Sequence, residues 1–353
     1  LPAGRLKNAE WILMASSKAT SPVFEARVER TAKDAVRLLW KTRRQNLSFS
    51  IYYGDSPESI RRHQPLLQVK GESAAEIRHL DPAAPCYFEI LAQTGAGIIV
   101  GERRLPLEGA VNFRELGGYQ TSDGRRIKWG KIFRSDHLAR LTDRDLAFLQ
   151  RLKIQSVCDF RTLIEAGKRP DRFPASGTGK YLPLPIDNLN PDPTTLFEKL
   201  KKGDTSWLTR EFLIEGYLRN IEGSAGVWGE VFRRLAEPGA LPLVFHCTGG
   251  KDRAGTCAAL ILLTLGVPED QVIYDHGLSN IFIADTADKI YARFEARGIQ
   301  RRKIAPYFSA PRYCIEALLA HIRKKYGSAA DYLKLKAGVK TAILERISKE
   351  LLE

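Results

Sequence analysis

Leu243-Val244-Phe245-His246-Cys247-Thr248-Gly249-Gly250-Lys251-Asp252-Arg253-Ala254-Gly255, continuing into the apolar run Thr256 to Leu265, is the stretch around which the chain is read. Three apolar residues enter, a polar and glycine-rich turn follows, and a helical run leaves until Gly266 and Pro268 stop it. A strand, loop and helix in that order aim backbone N–H groups and the positive helix end at a phosphate-sized anion. Thr248, Gly249, Gly250, Lys251, Ala254 and Gly255 are therefore the expected phosphate- and substrate-binding positions. Cys247 stands at the mouth of this cradle, where the field favours a thiolate nucleophile. Arg253 curls back with a planar fork of donors suited to two phosphoryl oxygens and to the charge that spreads over them in the transition state. Attack by sulfur would give a cysteinyl-phosphate, and water would then release inorganic phosphate.

His246-Cys247, a turn and then Arg253 resemble the signature of cysteine-dependent phosphatases. With Lys251 and Asp252 inside it, the loop resembles the His-Cys-x-x-Gly-Lys-Asp-Arg loop of the bacterial tyrosine-phosphatase-like family. The resemblance implies phosphotyrosine proteins as partners, with phosphoinositides as the alternative, and neither a cofactor nor a metal. It continues in Asn112-Phe113-Arg114-Glu115-Leu116-Gly117-Gly118-Tyr119, in Asp159-Phe160-Arg161, and in Tyr274-Asp275-His276-Gly277-Leu278-Ser279-Asn280. His246, Asp159, Arg161 and Arg114 take supporting roles on this reading. Arg114 either lines the site or holds its loop by an ion pair. Asp159 either orients Arg253 or a neighbouring arginine, or helps protonate the leaving group. The chain has no Trp-Pro-Asp tripeptide, so Asp252, inside the loop, is the preferred general acid. Lys251 is either a second cation for substrates with more than one phosphate or a solvated lysine. Ala254 stands where the wider superfamily commonly has a serine or threonine, so Thr256 or the loop amides must serve the hydrolytic step. The same departure motivates a rival of another class, a phosphate-binding pseudophosphatase.

Lys and Arg number 55 against 41 Asp and Glu, a formal net charge of +14 that favours anionic ligands without selecting one. No zinc finger, RNP-type aromatic pattern or basic tail is present, and nucleic acid is not an expected partner. No apolar run approaches the ~18–20 residues of a membrane span. The cysteines Cys86, Cys158, Cys247, Cys257 and Cys314 show no metal-ligand spacing, and all but Cys247 read as buried apolar residues. The opening at Leu1, with the module described next, inclines expectation towards a periplasmic or secreted protein, the cytoplasm being the alternative.

Ahead of the resemblance, short alternating runs at Val23–Val28, Ala35–Trp40, Ser48–Tyr53, Ala74–Ile77, Cys86–Ala92 and Gly97–Val100 predict an antiparallel sandwich. Leu80-Asp81-Pro82 before Tyr87, with Trp40 in an early strand, resembles a fibronectin type III module, Tyr87 being its corner tyrosine and Trp40 its core tryptophan. Further on, strand, helix and strand alternate as a parallel sheet requires. The expected architecture is α/β: a parallel-sheet cysteine phosphatase domain with helices on both faces over residues 108–353, preceded by an all-β fibronectin type III-like sandwich over 21–107 and an arm over 1–20. A helical lid-like insert is expected at about 187–235, with covering the sheet as the alternative role for its helices.

Overall fold

The computed structural model describes residues 23–173, 179–187 and 193–353, so the expected arm lies outside the described residues, as does 188–192 of the insert. The first strands are β1 (Val23–Ala32), β2 (Ala35–Thr42), β3 (Ser48–Gly54), β4 (Leu67–Lys70), β5 (Ala74–Ile77), β6 (Tyr87–Ala92) and β7 (Gly97–Gly101). They form a three-stranded sheet, β1-β2-β5, and a four-stranded sheet, β4-β3-β6-β7, both antiparallel. Alternation decides what faces inward: Val36, Leu38 and Trp40 from β2, Phe49 and Ile51 from β3, Phe88 and Ile90 from β6. β4 escaped the sequence reading because it offers the core only half-buried Leu67 and Val69 between exposed neighbours.

Next come β8 (Arg114–Glu115), β9 (Ile132–Ser135), α1 (Asp143–Arg151), β10 (Ser156–Asp159), α2 (Leu163–Lys168), β11 (Lys180–Pro183), α3 (Pro193–Lys201), α4 (Arg210–Gly223) and α5 (Ala225–Ala236). After them run β12 (Leu243–His246), α6 (Arg253–Thr264), α7 (Glu269–Phe282), α8 (Ala284–Glu295), α9 (Arg301–Phe308), α10 (Arg312–Tyr326), α11 (Ala329–Leu335) and α12 (Thr341–Leu351). The five-stranded sheet has the order β11-β10-β12-β9-β8, with β8 antiparallel at one edge and the other neighbours parallel. Successive residues of its strands enter different cores. Ile132, Cys158, Leu243 and Phe245 pack with α4, α5, α6, α10, α11 and α12, whereas Phe133, Val157 and Val244 pack with Phe148 and Leu149 of α1. α6 is apolar on every side and buried from Arg253 to Leu262, as a helix enclosed by others must be.

The insert is not one unit. Trp228, Val231, Phe232 and Leu235 of α5 recur at helical spacing and enter the main core, together with Tyr217 and Ile221 of α4. These helices cover the sheet. α3 instead contributes Leu200 and Phe197 to a separate apolar cluster with Tyr291 and Phe294 of α8 and Ile304 and Phe308 of α9.

The sandwich is fastened to the catalytic sheet rather than strung from it. Residues 103–105 run alongside β8: Glu115 N–H donates to Arg103 O at 3.0 Å and Leu105 N–H to Phe113 O at 3.2 Å. Trp129 packs into the sandwich core, its ring 6.5 Å from that of Tyr87. The corner-tyrosine expectation is corrected here, because the Tyr87 hydroxyl donates at 2.8 Å to Oε2 of Glu115 on β8, a partner in the other part of the chain. Gly117 and Gly118 press on the same indole; a Cβ on Gly118, whose φ is +78°, would lie 2.4 Å from it.

Candidate active site

β12 ends at His246 and α6 begins at Arg253, leaving Cys247 to Asp252 as a loop at the carboxyl end of a central parallel strand. The loop carbonyls are tied down from outside. His137 N–H donates to Thr248 O at 3.3 Å, Asn112 Nδ2 to Gly249 O at 3.0 Å, and the Arg134 guanidinium to Gly250 O at 2.7 Å and Lys251 O at 3.4 Å. In a trans peptide the following N–H points the opposite way, so each tether turns an amide towards the inside of the loop. Among the described residues, none of the Thr248 to Asp252 amides donates to a protein acceptor. Gly250 makes the curl possible. Its φ is +67°, and a Cβ there would meet Asp136 N at 2.5 Å. Gly249 meets no such obstruction; a Cβ on it would only touch the Lys251 side chain.

Cys247 is buried at the floor of this bowl, 3% exposed. Arg253 is held beside it by Glu165, from the first turn of α2, through a two-pronged pair of 2.6 Å and 2.8 Å, and by Phe160 O at 3.0 Å. Thr248 Oγ1 donates to the same carboxylate, so Glu165 locks the loop and its arginine together. Burial alone would push the Glu165 carboxyl up; the Arg253 guanidinium outweighs it and holds the group below the usual range. Sequence reasoning missed Glu165. The available signal was Thr162-x-x-Glu165 after a strand, a capping box, which the structure contains: Thr162 Oγ1 accepts from Glu165 N–H and Glu165 Oε2 from Thr162 N–H.

Asp252 closes the other side. Its side chain is 44% exposed, and its carboxylate accepts from Lys251 Nζ at 2.9 Å and from the Tyr217 hydroxyl at 2.7 Å. Lys251, by its charge and its hydrogen bond, and Tyr217 hold this carboxyl below the ordinary range. Lys251 is thus spoken for within the protein, its ammonium also 5.9 Å from the Tyr307 ring of α9. Tyr217 reaches on to Nε2 of His276 on α7, again at 2.7 Å. Burial, helped by Arg134, pushes the His276 ring down to about 3, so the imidazole is neutral at working pH.

Asp159 pairs with a neighbouring arginine rather than with Arg253. It lies under Arg161, taking that guanidinium through Nε at 2.9 Å and Nη2 at 2.8 Å, and accepts from Tyr181 at 2.6 Å. Arg161 also reaches Asp171 at 2.7 Å, and His246 Nε2 lies 3.1 Å from the same carboxylate. Asp159, Asp171 and His246 bring their ligand-type atoms within 4.8 Å of one another, but the guanidinium between the carboxylates supplies the positive charge there. Arg114 is fully buried and pairs with Asp275 at 3.1 Å, while Asp275 also pairs with Arg134. Asp275 thereby braces the cation that pins the Gly250 carbonyl, a link no short-range pattern shows. Thr256 is occupied: it accepts from Asn220 Nδ2 at 3.2 Å and donates to Asp252 O at 3.2 Å. Ala254 is wholly buried. All five cysteines are free and buried.

The rim beside Thr248 is mixed. Leu163 and Ile164 are 71% and 56% exposed just before Glu165, with exposed Lys168 and Arg169 following. Among the described residues no helix is long and apolar enough to cross a membrane.

Three known proteins are similar to this chain over 57% to 71% of its length. A protein of Cupriavidus necator that carries a tyrosine-protein phosphatase name is 29% identical over 243 residues, 68% of this chain and 86% of that protein. The triple specificity protein phosphatase PtpB of Mycobacterium tuberculosis is 30% identical over 290 residues, 71% of this chain and 99% of that protein. A tyrosine-protein phosphatase of Nostoc commune is 28% identical over 208 residues, 57% of this chain and 67% of that protein. Among solved structures, the FN5 domain of Drosophila Lar covers 23% of this chain and 95% of its own, at 13% identity and a TM-score of 0.19. Residues 105–353, which carry every element of the bowl, match the family described as the tyrosine phosphatase family. The chain belongs to that family and is a protein-tyrosine-phosphatase-like hydrolase.

Proposed function

We propose that the chain hydrolyses phosphotyrosine in proteins through a phosphocysteine on Cys247. The observation that carries this reading is a bowl of inward-turned amides with Cys247 on its floor and Arg253 clamped at its wall by Glu165. The thiolate attacks phosphorus, the bond from phosphorus to the ester oxygen breaks, and a protonated Asp252 gives its proton to the departing phenolate. Water then attacks phosphorus, the sulfur–phosphorus bond breaks, and Asp252 takes the proton from that water, leaving thiolate and inorganic phosphate. The amides and Arg253 stabilise charge on the equatorial oxygens in both steps. Lys251 keeps Asp252 ionised in the free protein, so the acid must gain its proton as the dianionic substrate enters and competes for the cation.

Acid quenching during turnover of a phosphotyrosine peptide, followed by mass spectrometry, should find a phosphoryl group on Cys247, and Cys247→Ser should abolish turnover. Phosphate on another residue, or undiminished turnover by the serine variant, defeats the mechanism. One equivalent of product followed by a stall would instead mark a phosphate-retaining pseudophosphatase.

A second reading, a phosphoinositide headgroup as substrate, is favoured by the exposed Leu163 and Ile164 beside Lys168 and Arg169 at the rim. Apolar side chains ringed by cations suit an anionic bilayer. If Leu163→Asp and Ile164→Asp leave activity on vesicle-borne phosphoinositide untouched, this reading falls.

A further inference from the structure

Asp252 is the acid in the reading above, and the inference here rests on that assignment. A carboxyl that must be neutral when the ester bond breaks and ionised when water attacks needs surroundings that tolerate both states. Lys251 suits only the ionised form. On the opposite side, Tyr217 of α4 is 4% exposed, with its hydroxyl 2.7 Å from Asp252 Oδ1 and 2.7 Å from His276 Nε2. We propose that Tyr217 is a positioning residue for the leaving-group acid: its hydroxyl, held between Asp252 and His276, keeps the carboxyl hydrogen-bonded and aimed in both protonation states.

The hydrogen count supports this. When Asp252 is ionised, Tyr217 donates to Oδ1 and His276 donates its Nε2 proton to the phenol oxygen. When Asp252 is protonated, its O–H can donate to the phenol oxygen, and the hydroxyl turns to donate to an unprotonated Nε2, with the histidine proton on Nδ1. A neutral imidazole has one donor and one acceptor nitrogen and serves either arrangement, whereas an imidazolium would serve only the first. His276 Nδ1 is buried and has no hydrogen-bond partner among the described residues, so neither tautomer is selected from that side. A cation in place of the hydroxyl would fix Asp252 as carboxylate; an apolar side chain would leave it loose.

The groups facing Asp252 come from each surrounding element. They are Lys251 from the loop, Tyr217 from α4, His276 from α7, Cys314 from α10, Arg253 from α6 and, one step behind through Tyr217 and His276, Arg134 from β9. Lys251 and Tyr217 are the pair that hydrogen-bond the carboxylate.

The test compares the wild type with Tyr217→Phe, Asp252→Asn and the double variant, using aryl phosphates whose leaving groups range from nitrophenol to unsubstituted phenol. Help from an acid matters more as the leaving group becomes more basic. Tyr217→Phe should lower kcat/KM about tenfold for phenyl phosphate and hardly at all for nitrophenyl phosphate. In the Asp252→Asn background the same change should cost nothing further, because a residue acting through Asp252 has nothing left to act on. The basic limb of the kcat/KM profile should move to higher pH in Tyr217→Phe, since the hydroxyl no longer stabilises the carboxylate. A uniform loss across leaving groups, or an equal loss in both backgrounds, would mean that Tyr217 only packs, and would overturn the inference. Should Asp252→Asn itself show no dependence on the leaving group, the acid assignment fails and the inference falls with it. A Tyr217→Phe series as steep as that of Asp252→Asn, in a protein that melts like the wild type, sustains both.

Discussion

Two buried glutamates, one at the catalytic mouth and one at the seam with the sandwich, meet opposite fates. Glu165 faces Arg253 in a two-pronged ion pair, and its carboxyl is held below the usual range against the pull of burial. Glu115 accepts hydrogen bonds from the Tyr87 hydroxyl and the Gly130 amide, with Arg103 acting on it as well. Burial wins there and pushes the carboxyl up to about 7. The number of donors does not separate the two. What separates them is the formal charge on the nearest donor, because a buried anion needs a counter-charge and a neutral dipole makes up only part of the lost hydration. The mouth is therefore built to keep a charge fixed, and the seam to let one go.

The sharpest way to break this contrast is Glu165→Gln. It leaves Arg253 buried with the Phe160 carbonyl, the Thr248 hydroxyl and one amide oxygen but no counter-charge from that side chain, and should cost about 3–5 kcal/mol of stability. Turnover should fall about 100-fold through misplacement of the transition-state clamp. Inorganic phosphate should then raise the melting temperature of the variant more than that of the wild type, since the anion replaces the missing carboxylate. Equal shifts would show that Glu165 is not the counter-charge.

Glu115→Gln should act in the reverse sense. Because the folded carboxyl holds its proton up to about 7, its contribution is complete below the ordinary value of 4.5 and is lost as pH rises between the two. Glutamine removes that loss, so the variant should gain on the wild type by roughly 1–3 kcal/mol between acid and mildly alkaline pH in denaturant titrations. A constant difference across that range would contradict the assignment. The smallest effect is expected from Lys251→Met: loss of the ammonium should move the basic limb of kcat/KM upward by about one pH unit, with modest change in kcat. An unmoved limb would show that Lys251 does not set the protonation of Asp252.

The sequence disclosed the bowl because its chemistry is local. Cys247, Gly250 and Arg253 lie on one turn between a strand and a helix, and each has a role its side chain announces. The clamps were hidden because they arrive from far along the chain, with Glu165 88 residues before Arg253 and Tyr217 35 residues before Asp252. A glutamate that caps a helix and a tyrosine on an apolar helical face look ordinary until the fold sets them beside the loop. The sandwich strands were legible wherever alternation reached the core, and β4 was not, because it barely does. The insert left two roles open, lid-like or covering the sheet, and the apolar stripes of α4 and α5 make those two helices walls of the main core.

Trp129 sets a limit on how the gene can be divided. Its indole belongs to the sandwich's apolar cluster although its backbone lies beyond β8, and Arg103 stacks on it 4.7 Å away. An expression fragment starting after the sandwich would carry a large aromatic ring with its sandwich-side walls removed, next to a buried glutamate suddenly open to water. Anyone seeking a minimal enzyme should keep the amino-terminal strands or replace that tryptophan, because the two halves share furniture.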